Sequence, residues 1–195
     1  MSGQDGAASF PLAQDARIPP GRLRQLGPIN WVLAKLAARQ VGAPEMHLFT
    51  TLGHRRLLFW AWAIYGGRLL QGRLPRIDTE LVILRVGHLR SCEYELQHHR
   101  KMARGAGLDT GAQARIFAWP DVVEDSSAPL SDRQRVLLTA TDELVTTRTI
   151  SDPTWGRLAA HLTRRQLIEF CLLTTQYDGL AATLTALRVP LDNPR

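Results

Sequence analysis

The chain has 195 residues, 45% of them hydrophobic and 22% charged, which suits one packed globular domain and excludes a disordered polymer. Its net charge of +6 comes from arginines spread along the whole sequence, with Lys35 and Lys101 the only lysines. Binding to nucleic acid by charge needs a basic patch or a recognised motif, so this spread argues against that class and points to an arginine-rich, alanine-rich coding bias, with an anionic small-molecule substrate left open.

The most apolar run, Leu57 to Tyr65, is half of the roughly 18 residues that span a bilayer, so no membrane anchor is expected. The N-terminus shows no positive region followed by an apolar run and a cleavage site, which predicts a cytoplasmic protein. Cys92 and Cys171 are then read as core or reactive thiols rather than a disulfide.

Residues 1–26, with Pro19-Pro20 and no sustained periodicity, predict a flexible N-terminal arm ahead of a single helical domain over 27–195. Helical spacing starts at Trp31 and runs to Gly42. Pro44-Glu45 opens a second segment through Phe49, Trp60 and Ile64 that Gly66-Gly67 should stop. Asp78 is expected to cap an apolar helix carrying Leu81, Val82, Leu84, Val86 and Leu89. A strand is rejected there because both flanks are helical and no partner strand exists. Ser91 to Ala106 is the best helix, ended by Gly107. Thr110 to Trp119 is a short helix and Glu124 to Pro129 a loop. Ser131 and Thr163 open capping boxes, Asp152-Pro153 starts a short helix, and Gln166 to Leu187 predicts a long one, either buried at the centre or covering an oligomer contact. The fold class is therefore all-α.

On the Ser91 helix, Cys92, Glu95 and His99 share one stripe. Glu95 and His99, an i, i+4 pair, are expected to hydrogen-bond and so orient the imidazole as a base, whereas Cys92 and His99 stand about 10 Å apart along the axis. A Glu–His pair at this spacing is also common on solvated surfaces, and a lone cysteine is usually a small hydrophobe. Arg85 is a candidate clamp for a substrate carboxylate or else an ion-pair arginine. Cys171 reads as packing, Trp60 and Tyr65 as core or pocket wall, and Tyr177 as either. Cys92, His88, His98 and His99 lack the spacing of a zinc site, so neither metal nor cofactor is expected.

The stretch from Glu80 to Leu108, with Glu80, Cys92 and His99 at its chemical positions, resembles the signature block of the carboxymuconolactone decarboxylase / alkylhydroperoxidase (AhpD-like) superfamily. In the alkylhydroperoxidase-like members a glutamate precedes CxxC by twelve positions and a histidine follows the first cysteine by seven. Here Glu95 stands where the second cysteine would be. The string Glu93-Tyr94-Glu95-Leu96 is similar to the Glu-His-Glu-Leu of the decarboxylase side, with Tyr94 at its histidine position. Asp142-Glu143-Leu144, Gln176-Tyr177 and Val189-Pro190-Leu191-Asp192 are similar to landmarks of the larger decarboxylase-family form.

The resemblance implies an AhpD-like helical bundle, a homo-oligomer (a trimer or a multiple of it, with a dimer as alternative), catalytic roles for His99, Glu80, Glu95 and Cys92, and substrate contacts from Tyr94, Arg85 and Glu93. Three functions stay open. One is cofactor-free proton transfer by His99, giving decarboxylation, isomerisation or cyclisation of a small acidic or lactone-like compound. The second is thiol-dependent peroxidase chemistry at Cys92, against which the missing resolving thiol counts. The third is a non-catalytic helical binding protein.

Overall fold

The computed structural model describes residues 16–121 and 129–193. Most of the expected arm (1–15) and the expected loop at 124–128 lie outside them. In chain order the helices are α1 (Leu23–Val41), α2 (His47–Leu52), α3 (Arg56–Leu70), α4 (Arg76–Leu89), α5 (Glu93–Gly105), α6 (Thr110–Ala118), α7 (Asp132–Thr147), α8 (Asp152–His161) and α9 (Arg164–Leu187), and no strand occurs among the described residues.

The apolar run of α4 explains its place. Leu81, Val82, Ile83, Leu84 and Val86 are all fully buried, because α4 packs against α5, α6, α7 and α9 at once and so hides every face. A helix apolar all round is a central helix, and here that is α4. The last helix is not the centre. One face of α9 is buried through Leu167, Phe170, Leu173 and Leu184, while Ile168 and Leu172 are exposed.

Caps and breakers act where their chemistry predicts in the second half. Ser131 and Thr163 each accept the N–H three residues on and receive the reciprocal glutamine contact, and Pro153 sits in the first turn of α8. The first half differs from expectation in four places. The helix expected from Pro44 to Ile64 is two, because Gly53 brings bare backbone against the Leu26 side chain of α1 at a distance that a Cβ, 2.7 Å from Leu26 Cδ2, could not share. Gly66-Gly67 do not stop α3, which runs on to Leu70, and they line a cavity instead. Asp78 is no cap: Pro75 holds that position, and Asp78 is buried in an ion pair with Arg133 at 2.6 Å. The segment expected as arm also differs at its described end, since 23–26 belong to α1 and Leu26 is buried.

The arginines account for themselves in this architecture. Arg85 reaches both oxygens of Asp142 on α7 (2.6 and 2.7 Å), Arg133 ties α7 to Asp78 on α4, and Arg90 and Arg148 converge on Asp178 of α9. Planar guanidinium forks suit such bidentate clamps between helices. Part of the positive charge thus ties helices together. No described helix is long and apolar enough to cross a membrane.

Candidate active site

Between α2, α3, α5 and α9 lies a cavity of about 220 Å³ whose wall is mostly apolar, with His99, Glu95, Tyr94, His98 and Tyr177 on its surface. The i, i+4 geometry of α5 delivers Glu95 and His99 to this wall from one face, and α9 delivers Tyr177 opposite, its ring edge-on to the imidazole at 5.1 Å.

His99 is held by Glu80 rather than by Glu95. Its Nδ1 lies 2.8 Å from Glu80 Oε2, and Glu80, fully buried, is in turn ion-paired through Oε1 with Arg76 Nη2 at 2.7 Å. With Nδ1–H donating to the carboxylate, Nε2 carries the lone pair and is the nitrogen left for a cavity ligand. The expected Glu95–His99 bond is absent because the preceding helix supplies a better-placed carboxylate. Gly87 makes that packing possible: a Cβ there would press on Leu96 at 3.1 Å and come within 3.7 Å of Glu95 Oε2, so α4 and α5 approach where a side chain would hold them apart.

Glu95 is 3% exposed, and neither of its carboxyl oxygens makes a hydrogen bond of ordinary geometry with a described residue. Burial, relieved only in part by the nearby Cys92 thiol, holds its carboxyl well above the usual carboxylate range. Tyr177 likewise has its phenol raised by burial and donates to no described residue. The sequence left Tyr177 undecided between core and pocket, and the fold places it on the wall.

Cys92 lies beside the Glu95 carboxyl but does not line the cavity with Glu95 and His99. It is the N-cap of α5, following Ser91 in a left-handed conformation, and is only 2% exposed beside a separate, smaller cavity with Leu184, Val189 and Leu191. Burial pushes its thiol up to about 12, so almost no thiolate exists at neutral pH. Cys171, half-buried on α9, is also a free thiol raised by burial.

Two of the expected substrate contacts are engaged elsewhere. Arg85, in the clamp with Asp142, also donates to the carbonyls of Ile116 and Phe117 and does not line the cavity. Glu93 pairs with Arg100 at 2.8 Å and is likewise off the wall. Tyr94 does line the cavity, but its hydroxyl is spent, donating to Asp192 Oδ2 (2.7 Å) and accepting the Leu48 N–H (2.9 Å).

Asp192 is the residue that sequence reasoning missed. Fully buried near the end of the described chain, it accepts from Tyr94, from His98 Nε2 (2.9 Å) and from the His47 N–H (2.7 Å), and it contacts His47 Nδ1 at 2.9 Å. The bond to the His47 amide caps α2, whose own N-cap Met46 offers no side-chain acceptor. Burial would raise the Asp192 carboxyl, but His47, His98 and Tyr94 together hold it below its ordinary value. Burial would depress His47, and Asp192 outweighs that and leaves it raised. The available signal was the Val189-Pro190-Leu191-Asp192 string, which gave a landmark but no partner. Among the described residues no group of three or more His, Cys, Asp or Glu side chains is arranged to hold a metal ion.

The model of the carboxymuconolactone decarboxylase family matches residues 56–131, which include Glu80, Cys92, Glu95 and His99. No curated protein shows a significant match. Among solved structures, the chain is similar to an uncharacterized peroxidase-related protein with an alkylhydroperoxidase AhpD core from Ralstonia eutropha, with a TM-score of 0.76 and 17% identity over 95% of each chain. It is also similar to an uncharacterized peroxidase-related protein from a Silicibacter species, with a TM-score of 0.66 and 17% identity over 95% of this chain and 94% of that one. At such identities the likeness concerns the fold. The family model thus covers 56–131, the stretch that carries the cavity histidine and its carboxylates, and the solved structures share the AhpD-like helical fold.

Proposed function

We propose that the chain is a cofactor-free enzyme of the lyase or isomerase kind, in which His99 takes a proton from a carbon next to a carbonyl of a small, lactone-like compound and returns it elsewhere. Isomerisation and cyclisation begin from such a step, and decarboxylation ends on its reverse, the return of a proton to the enol carbon left when CO₂ departs. The observation that carries the reading is the Arg76–Glu80–His99 chain. A buried carboxylate fixes the imidazole tautomer and orientation, while Nε2 is left for a ligand in a largely apolar cavity. Glu80 is then a positioning residue that stabilises the imidazolium formed in the transfer.

Hydroperoxide reduction at Cys92 is the competing reading, favoured by the peroxidase-related description of the two solved structures. Against it stand the burial and raised thiol of Cys92 and its position off the main cavity. We propose further that the protein is a homo-oligomer, because Leu57, Leu58 and Ile64 on α3 stand exposed, Leu57 at 86%.

Proton exchange tests the first reading. Carbonyl compounds are incubated with the protein in D₂O and deuterium uptake at the α-carbon is followed by NMR. His99→Gln should lower the rate about 10²-fold or more, and Glu80→Gln should lower it less. Cys92→Ser should keep most of it. An inactive Cys92→Ser beside an active His99→Gln, with hydroperoxide consumed in step with thiol, would overturn the assignment.

A further inference from the structure

Six polar side chains reach the cavity wall, and their commitments differ. Tyr94 and His98 are spent on Asp192, and Gln176 is half-exposed. Glu95 has only the Cys92 thiol beside it, and His99 Nε2 and Tyr177 have no protein hydrogen bond there, among the described residues. No arginine or lysine is on the wall. The arginine tied to His99 through Glu80, Arg76, also donates to the Leu70 carbonyl, and Arg85 is locked to Asp142.

Resting on the proton-transfer reading, we propose that the cavity takes an uncharged substrate. It is an apolar ring or chain bearing one ketone, lactone or enol oxygen that accepts hydrogen bonds from Tyr177 and Glu95, and carboxylates are rejected. A carboxylate entering this cavity would lose its hydration against aliphatic wall, meet no counter-ion, and face Glu95; an unpaired buried charge of that kind costs several kcal/mol. A neutral oxygen meets the opposite situation. Glu95 has no cationic partner, so it keeps its proton and becomes a donor, and Tyr177 donates beside it. This departs from the anionic ligand that the sequence charge left open, because no arginine stands among the described lining residues.

The protons balance. His99 Nε2 takes the α-hydrogen, the C–H electron pair becomes the enol C=C, and the carbonyl π pair moves to oxygen, which takes the Glu95 proton. Imidazolium then returns a proton to another carbon while Glu95 carboxylate recovers its own from the enol. Nothing is oxidised or reduced. Since decarboxylation needs a carboxylate on the substrate, isomerisation and cyclisation remain.

The test uses three ring-matched probes on the full chain: 2-naphthol as enol mimic, 2-naphthoate and naphthalene, with binding measured by calorimetry at neutral pH. Naphthol should bind at least about 10-fold more tightly than either of the others, and Tyr177→Phe should remove about 10-fold from naphthol while leaving naphthalene unchanged. Glu95→Gln, which keeps a donor of similar shape, should leave naphthol within about threefold. Naphthoate binding as well as naphthol, no naphthol binding at millimolar concentration, or a Tyr177→Phe effect equal on naphthol and naphthalene would each overturn the proposal. Deuterium exchange on 2-tetralone, run in parallel, reports the proton-transfer reading separately. The naphthol pattern without exchange sinks that reading and leaves the ligand class standing, whereas exchange only on acidic carbonyl compounds sinks the ligand class.

Discussion

Replacing Asp192 with alanine is expected to destabilise the whole domain although the residue lies three positions from the C-terminus. The side chain accepts from two side chains, Tyr94 and His98, and from the first amide of α2, and it pairs with the His47 ring at 2.9 Å, so alanine leaves all four without their partner in a buried setting. An orphaned buried donor costs about 1–3 kcal/mol, and water entering from the exposed Asn193 side offsets part of that. Removing one partner of a buried ion pair costs about 3–5 kcal/mol, and that range is the expected loss. Urea unfolding followed by far-UV circular dichroism at one protein concentration measures it, with Asp192→Asn intermediate. The effect should depend on pH with a defined sign. Asp192 is held below its ordinary 3.8, so its contribution is present above that value and is lost on acidification. His47 is held above its ordinary 6.5, so its contribution is full below 6.5 and is lost as pH rises through the raised value. The gap between wild type and Asp192→Ala should therefore be widest at about pH 4–6.5. A loss under about 1 kcal/mol, or a gap that widens steadily toward pH 9, would refute the reasoning.

Thiol titration in the folded protein should modify Cys171 well before Cys92, with Cys92 reacting only on unfolding; a fast Cys92 in native buffer would contradict its burial. Arg85→Ala should cost about 3–5 kcal/mol of stability by stranding Asp142 and two carbonyls, and Arg85→Lys should recover little because a single ammonium cannot span both carboxylate oxygens. Unfolding midpoints read this, and a near-neutral Arg85→Ala would free Arg85 for another role. Sedimentation at micromolar concentration should give a mass above one chain, and Leu57→Asp should lower it without unfolding; a monomer at that concentration would remove the oligomer proposal.

Elements whose boundaries are set by local chemistry were legible in the sequence. The Ser131 and Thr163 capping boxes, Pro153 in the first turn of α8 and Gly107 after α5 depend on hydrogen bonds and backbone angles within a few residues, so the helices they bound fall where expected. Where distant packing decides, the sequence misled. Gly53 breaks a helix because Leu26 leans on it, and Gly66-Gly67 break nothing because they face a cavity.

The same division holds at the site. Spacing along α5 placed Glu95 and His99 on one face, because helical periodicity is a local property. Which carboxylate holds the imidazole was decided between helices, where Glu80 from α4 reaches Nδ1 and leaves Glu95 unpaired. Cys92 was expected in the first turn of a helix beginning at Ser91; the turn at Ser91 makes it the N-cap, beside Glu95 but off the main cavity. Arg85, Tyr177 and Asp192 carry no local mark of their roles. An arginine clamps a ligand or a helix, a tyrosine fills a core or lines a cavity, and a carboxylate near a C-terminus is solvated or buried, according to what the rest of the chain brings beside it. Periodicity and capping thus fixed the helices and one reactive face, while the opposing wall, the orienting partner and the absence of a free cation among the described lining residues came from contacts that only tertiary packing makes.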